Sequence, residues 1–123
     1  MRWSVDTRDN DSVRAIRCAV AAELIGYGPS DKDRVFIKML ADEILTVESA
    51  NPLGGIAVEV IPAPDGAILE CWGQGDPWYR HVYPLIDGLL DYLGHEMEID
   101  RSEQGNHVRV HFRFRLDEQS GAP

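Results

Sequence analysis

Residues 96–116 read EMEIDRSEQGNHVRVHFRFRL, and the fold class follows from their alternation. Met97 and Ile99 alternate with Glu96, Glu98 and Asp100; after SEQGN, Val108, Val110, Phe112, Phe114 and Leu116 alternate with His107, Arg109, His111, Arg113 and Arg115. Successive side chains on a strand point to opposite faces, so this segment is a hairpin with one apolar and one charged face. The apolar face needs a covering layer, while the charged face of an antiparallel sheet can stay wet. An acidic strand lies beside a basic one, and each opposite-charge pair across strands contributes roughly 0.2–1 kcal/mol.

Upstream, the pattern alternates between helix and strand periods. Pro84 suits the first turn of a helix carrying Val82, Ile86, Leu89 and Leu93 on one side. Residues 56–61 and 67–72 read as two strands joined by Pro-Ala-Pro-Asp-Gly. Residues 2–6 read as a short first strand. Asp9, Asp11 and Ser12 are cap candidates for a helix with Val13, Ile16, Val20 and Leu24 on one face, stopped by Gly26, Gly28 and Pro29. Ser30 caps a second helix that runs to about Ala50, with Asp31 and Asp33 at the positive end of its dipole. The order β-α-α-β-β-α-β-β predicts a two-layer α/β sandwich, a mixed and mostly antiparallel sheet covered on one face by three helices. One domain is expected over residues 1–116, followed by a frayed tail at 117–123.

The chain has 123 residues and a net charge of −9. That length suffices for a core without disulfides or metals. The acidity argues against nucleic acid as a partner, because phosphate binding rests on excess Lys and Arg. No apolar run reaches the roughly 20 residues of a membrane span, and MRWSVDTRDND lacks the apolar stretch of a signal peptide, so a cytoplasmic protein is expected. Cys18 and Cys71 show no metal-ligand spacing and read as buried small hydrophobes. His107 and His111, at i and i+4 of a strand, stand about 13 Å apart, too far to share a metal ion.

Two segments carry the chemistry: residues 41–51 (ADEILTVESAN) and 69–75 (LECWGQG). The first places Glu43 on a helical face with Phe36, Leu40 and Val47, where a carboxylate is costly unless paired. It reads either as a base with a raised pKa or as a glutamate paired with an arginine or snorkelling to the helix edge. The second ends a strand in Gly73-x-Gly75, a turn that favours positive φ. In order and separation, with RWSVDTRDNDSVRAIRCAVAAEL before them and PLIDGLLDYLG and GNHVRVHFRFRL after them, these segments resemble the anti-sigma-factor serine kinases of bacteria, within the histidine kinase-like (GHKL, Bergerat-fold) ATPases.

The resemblance implies roles and also shows losses. Glu43 matches the family's general base, but Val47 stands where the family has a magnesium-binding Asn, and a valine offers no oxygen ligand. Cys71 stands where an Asp binds adenine, and a thiol is a weak hydrogen-bonding group. Gly73 and Gly75 match the following glycines, and Trp72, between them and Cys71, would fill nucleotide space. The family's glycine-rich lid is replaced by DPWYRHVYP at residues 76–84, where Arg80 and His81 could meet an anion. Asn106 replaces a preferred Thr. The implied reading is a degenerate ATP site, no ATP or magnesium cofactor, and a non-catalytic module that binds a sigma factor or a STAS-domain antagonist in bacterial partner switching. Trp72, Trp78 and Tyr79 are then exposed anchors for that partner, and a homodimer is plausible. The alternative is a divergent serine kinase using Mg-ATP.

Overall fold

The computed structural model describes residues 1–27, 30–50, 54–75, 79–102 and 105–114. The elements are β1 (Arg2–Val5), α1 (Asn10–Ile25), α2 (Asp31–Ser49), β2 (Ile56–Ala63), β3 (Gly66–Gly73), a 3-10 turn (Arg80–Val82), α3 (Tyr83–Tyr92), β4 (Glu96–Ser102) and β5 (Gly105–Arg113). The order matches the sequence pattern. The sheet runs β1-β2-β3-β5-β4 and every neighbouring pair is antiparallel, so no parallel pair enters the sheet that was expected to be mixed. Three helices lie on one face, α1 against β1 and β2, α2 against β3, and α3 against β4. This is a two-layer α/β sandwich.

Local chemistry sets the boundaries. Asp9 caps α1, accepting from the backbone N–H groups of Asp11 and Ser12. Ser30 caps α2 through the N–H of Asp33. Strands β2 and β3 extend beyond the predicted ends, so only Pro64 and Asp65 form the turn, with Ala63 and Gly66 paired. Pro62, which has no N–H, is tolerated in β2 because the β1 ladder ends before reaching it. Gly66 is required there: its φ is +156°, and a Cβ would lie 2.0 Å from the Phe112 carbonyl oxygen. The expected tail and the turn residues Glu103 and Gln104 lie outside the described residues.

Two helix faces differ from the sequence expectation. The buried stripe of α2 is Ile37, Leu40, Ala41, Ile44, Leu45, Val47 and Glu48, while Phe36 is half-buried and Glu43 is exposed. The helix is thus rotated relative to a wheel begun at Phe36. In α3 the core residues are Tyr83, Ile86 and Leu90, and Leu89 faces outward.

On the helix-free face of the sheet, register sets Arg2, Glu59, Glu70, Arg109 and Glu98 in one transverse row. The basic strand β5 was expected to find its partners on β4. Its neighbour on the other side is β3, and most ion pairs run that way: Glu70 meets His107 at 3.3 Å and Arg109 at 3.5 Å, and Asp65 meets His111 at 2.8 Å. From β4, Glu96 pairs with Arg113 at 2.9 Å. His111 and Arg113 hold the Asp65 carboxyl below its ordinary pKa, the histidine hydrogen bond contributing most.

His95 joins three elements. Its backbone N–H donates to the Leu90 carbonyl at the end of α3, and its buried Nδ1 accepts the backbone N–H of Arg113 at 2.9 Å. Nδ1 is therefore unprotonated and the proton sits on Nε2. Burial pushes the imidazole below its ordinary value of 6.5, against the attraction of Asp33 and with a further push from His111. A depressed histidine pKa stabilises the fold fully above 6.5 and loses that contribution as pH falls towards the folded-state value. Denaturation midpoints at pH 7.5 and 5.5 are expected to show wild type losing more stability on acidification than His95→Phe; equal losses would show that His95 does not titrate with folding.

Candidate functional site

The polar centre of the molecule is Glu48, on the last turn of α2. Its side chain is 0 % exposed. It lies in phase with the apolar stripe, four residues after Ile44 and eleven after Ile37, and so enters the core where a hydrophobic residue would normally sit. Asn106 Nδ2 donates to both carboxylate oxygens, at 2.8 and 2.9 Å. Asn106 is itself buried and pairs across the sheet with Gly73. The pair therefore ties α2 to β5 beside the end of β3.

Cys71 is next to this pair. It faces the helices and is fully buried, whereas Cys18, also expected to be buried, is exposed on α1. Burial raises the Cys71 thiol well above the ordinary value of 9.0, and the negative charges of Glu48 and Glu70 raise it further. The sulfur is a protonated, inaccessible group and no nucleophile. Val47 is also buried, with its methyls in the core.

The predicted site residues are not gathered in one place. Glu43 is exposed on the outer side of α2, which corrects its placement in an apolar stripe; the buried carboxylate is Glu48. Gly75 has φ 77°, as a strand-ending turn requires, whereas Gly73 has no positive φ and is the last residue of β3. Gly73 borders a cleft of about 580 Å³ with Ser4, Asp6, Arg8 and Gly55, in which Arg8 and Asp6 are already paired at 3.0 Å. Arg80 is exposed and borders a different cleft of about 360 Å³ with Tyr83, Asp87 and Met97.

The aromatic anchors also separate. Trp72 is half-buried on the helix-free face, stacked on His107 with centroids 5.2 Å apart and planes at 1°, with the Arg2 guanidinium 5.2 Å from its ring centroid. It is therefore not an exposed anchor. It points away from Cys71 because alternate strand residues take opposite faces, so it does not fill space beside that residue on the helix side. Tyr79 is exposed, with an edge contact to His81. Trp78 lies outside the described residues.

The sequence reading did not single out the exposed face of α3. Leu85 is 74 % and Tyr92 86 % exposed, and with Leu89 they recur at i, i+4 and i+7. Gly88 shares that face, and a Cβ there would meet nothing within 4 Å. Asp87 and Asp91 are the charged residues of the helix. The available signal was a helix with apolar residues on more than one side, which implies a second apolar contact.

The donor chemistry does not fit a nucleotide with magnesium. Where the resemblance needs an oxygen ligand there is a buried valine, and where it needs a carboxylate there is a buried neutral thiol. No family model matches the chain, and a search of curated proteins returns no relative. No helix among the described residues is long and apolar enough to cross a membrane.

The Glu48–Asn106 pair makes a sharp stability prediction. Asn106→Ala leaves a buried carboxylate without its amide and is expected to cost about 2–4 kcal/mol. Glu48→Gln keeps an acceptor and gives the buried Asn106 Oδ1 a donor, so it should cost much less. Glu43→Ala, on the surface, should change stability by no more than about 0.5 kcal/mol. Urea denaturation of the three variants checks the order, and a large loss for Glu43→Ala would contradict the helix phase described above.

Proposed function

We propose that this chain is a non-catalytic interaction module of the bacterial partner-switching type, cytoplasmic, whose partner is a sigma factor or a STAS-domain antagonist. The observation that carries the reading is the enclosure of Glu48, Cys71 and Val47. At Val47 and Cys71, the positions where the resembled kinases hold metal and adenine, this chain has buried side chains, with the carboxylate–amide contact of Glu48 and Asn106 beside them. Phosphoryl transfer depends on charged groups that position the phosphates and metal. With Glu43 on the outer surface and Arg80 at a separate cleft, those groups do not converge.

An interaction module also needs an unspent surface, and the outer face of α3 supplies one. Leu85, Leu89 and Tyr92 form an apolar stripe around the open Gly88, on a helix whose charged residues are Asp87 and Asp91. Large exposed side chains on a rigid helix suit binding hot spots, Tyr especially. The acidic charge of this helix and of the whole chain favours a partner with basic residues around its apolar contact.

Two measurements test the proposal. Mg-ATP at 100 times a given Kd would stabilise a binding protein by about 2.7 kcal/mol, and thermal denaturation is expected to show no such shift. Co-expressed with the sigma factors and STAS-domain proteins of its own genome, the chain is expected to retain one of them, and Leu85→Glu with Tyr92→Glu to weaken that complex at least 100-fold while leaving the fold intact. Stabilisation by Mg-ATP together with transfer of labelled phosphate to a protein would overturn the proposal in favour of a divergent serine kinase.

A further inference from the structure

On a chain of net charge −9, one cleft carries only positive charge. It lies between the first half of α1 and the last turn of α2, has a volume of about 330 Å³, and its ionisable lining residues are Arg14 and Arg17. Thr7, Asn10, Thr46 and Ser49 supply the polar remainder. Two carboxylates of the turn that leads into α1 are engaged within that turn. Asp6 is paired with Arg8 at 3.0 Å, and Asp9 accepts from the Ser12 hydroxyl and from the N–H groups of Asp11 and Ser12. Because Asp9 takes those two N–H groups, neither is a donor to the cleft.

The side chains are set for accepting oxygens. Thr46 donates its hydroxyl proton to the Asp42 carbonyl at 2.7 Å, so its oxygen accepts from Arg17 Nη1 at 3.2 Å and fixes that guanidinium at the wall. Four further N–H groups of Arg17 are left for a ligand. Arg14 makes no ion pair among the described residues. The Ser49 hydroxyl is buried with no hydrogen-bond partner among them, which leaves a donor that folding has not used. A buried unsatisfied hydroxyl is costly, and an incoming oxygen would satisfy it.

We infer that the cleft between α1 and α2 binds a phosphate monoester, with Arg14 and Arg17 holding the dianion and the Ser49 hydroxyl donating to a third oxygen. A carboxylate brings one charge and two oxygens. A phosphate monoester brings a charge of about −1.5 to −2 and three acceptor oxygens, which matches two guanidinium forks and a hydroxyl from a third direction. The volume exceeds that of the phosphate group, so the ester substituent lies between Val13 and Ala50 at the cleft wall. The same chemistry is offered by a free small phosphate ester and by a phosphorylated side chain of another protein. The inference does not depend on the proposed function, since the cleft shares no lining residue with the α3 face or the Glu48 centre.

The test is titration of the 15N-labelled chain with inorganic phosphate, O-phosphoserine and a phosphoserine peptide at constant ionic strength. Saturable shifts of the Thr7, Asn10, Arg14 and Ser49 amides are expected, with Kd below about 1 mM for O-phosphoserine, a modest affinity for a small exposed site. Arg14→Gln changes an exposed side chain, keeps the fold, and is expected to weaken binding at least tenfold; Ser49→Ala is expected to weaken it at least threefold. A peptide bound tenfold more tightly than O-phosphoserine identifies a protein-borne phosphate, and equal affinities identify a free ester. Shifts that grow linearly and are matched by chloride, or an affinity unchanged in Arg14→Gln, would overturn the inference. Any stabilisation by ATP that disappears in Arg14→Gln belongs to this cleft and leaves the reading of the Glu48 centre untouched.

Discussion

The contact between Asn106 and Glu48 holds the two layers in one arrangement. It joins positions 58 residues apart in sequence, linking the helix that covers the middle of the sheet to the strand beside it. A carboxylate cannot be left bare in a core, so α2 is stable only in the rotation that presents Glu48 to that amide. Apolar contacts alone tolerate small rotations and slides. A buried carboxylate held by two amide hydrogen bonds of 2.8 and 2.9 Å does not. Once α2 is fixed, Ile37, Leu40, Ile44 and Leu45 meet the inward residues of the sheet, Val58, Leu69, Val110 and Phe112 among them, and α1 and α3 pack on either side.

The same constraint bears on chemistry. Burial, reinforced by the negative charges of Glu48 and Glu70, keeps the Cys71 thiol protonated, and the rotation that brings Glu48 in turns Glu43 out. Helical geometry couples the two: five residues along a helix is about 140° of rotation beyond a full turn, so both carboxylates cannot face the sheet. A chain with an internal carboxylate at 48 has therefore given up an inward base at 43.

Much of the fold was legible because strands have a period of two that admits few alternatives. Residues 96–100 and 106–114 could take only one face each, and both caps at Asp9 and Ser30 were readable from residue type. Helix phase was harder. Phe36-Leu40-Glu43-Val47 and Ile37-Leu40-Ala41-Ile44 overlap on a wheel and differ by less than a third of a turn, and no propensity rule predicts that a glutamate will continue the apolar stripe. The partners of β5 were half legible: the acidic strand after α3 was visible, but the insertion of β3 beside β5 is a topological fact that local pattern does not carry. Trp72 misled for a related reason. Its neighbours Gly73 and Gly75 suggested a ligand turn, yet strand alternation sends it to the open face, onto His107.

The distribution of positive charge separates structure from surface. Of the basic side chains on the sheet, Arg109, Arg113, His107 and His111 are held by Glu70, Asp65 and Glu96, so they build a ladder within the sheet and offer little net charge outward. Among the described residues, Arg14 and Arg17 pair with no such acids. Because α2 lies between α1 and α3, the cationic cleft and the apolar stripe occupy opposite flanks of one helix layer. A partner seated on Leu85 and Tyr92 would have to cross α2 to reach Arg14. Two surfaces of such different chemistry, held at fixed separation by a helix that Glu48 locks in place, favour two separate ligands over one large interface.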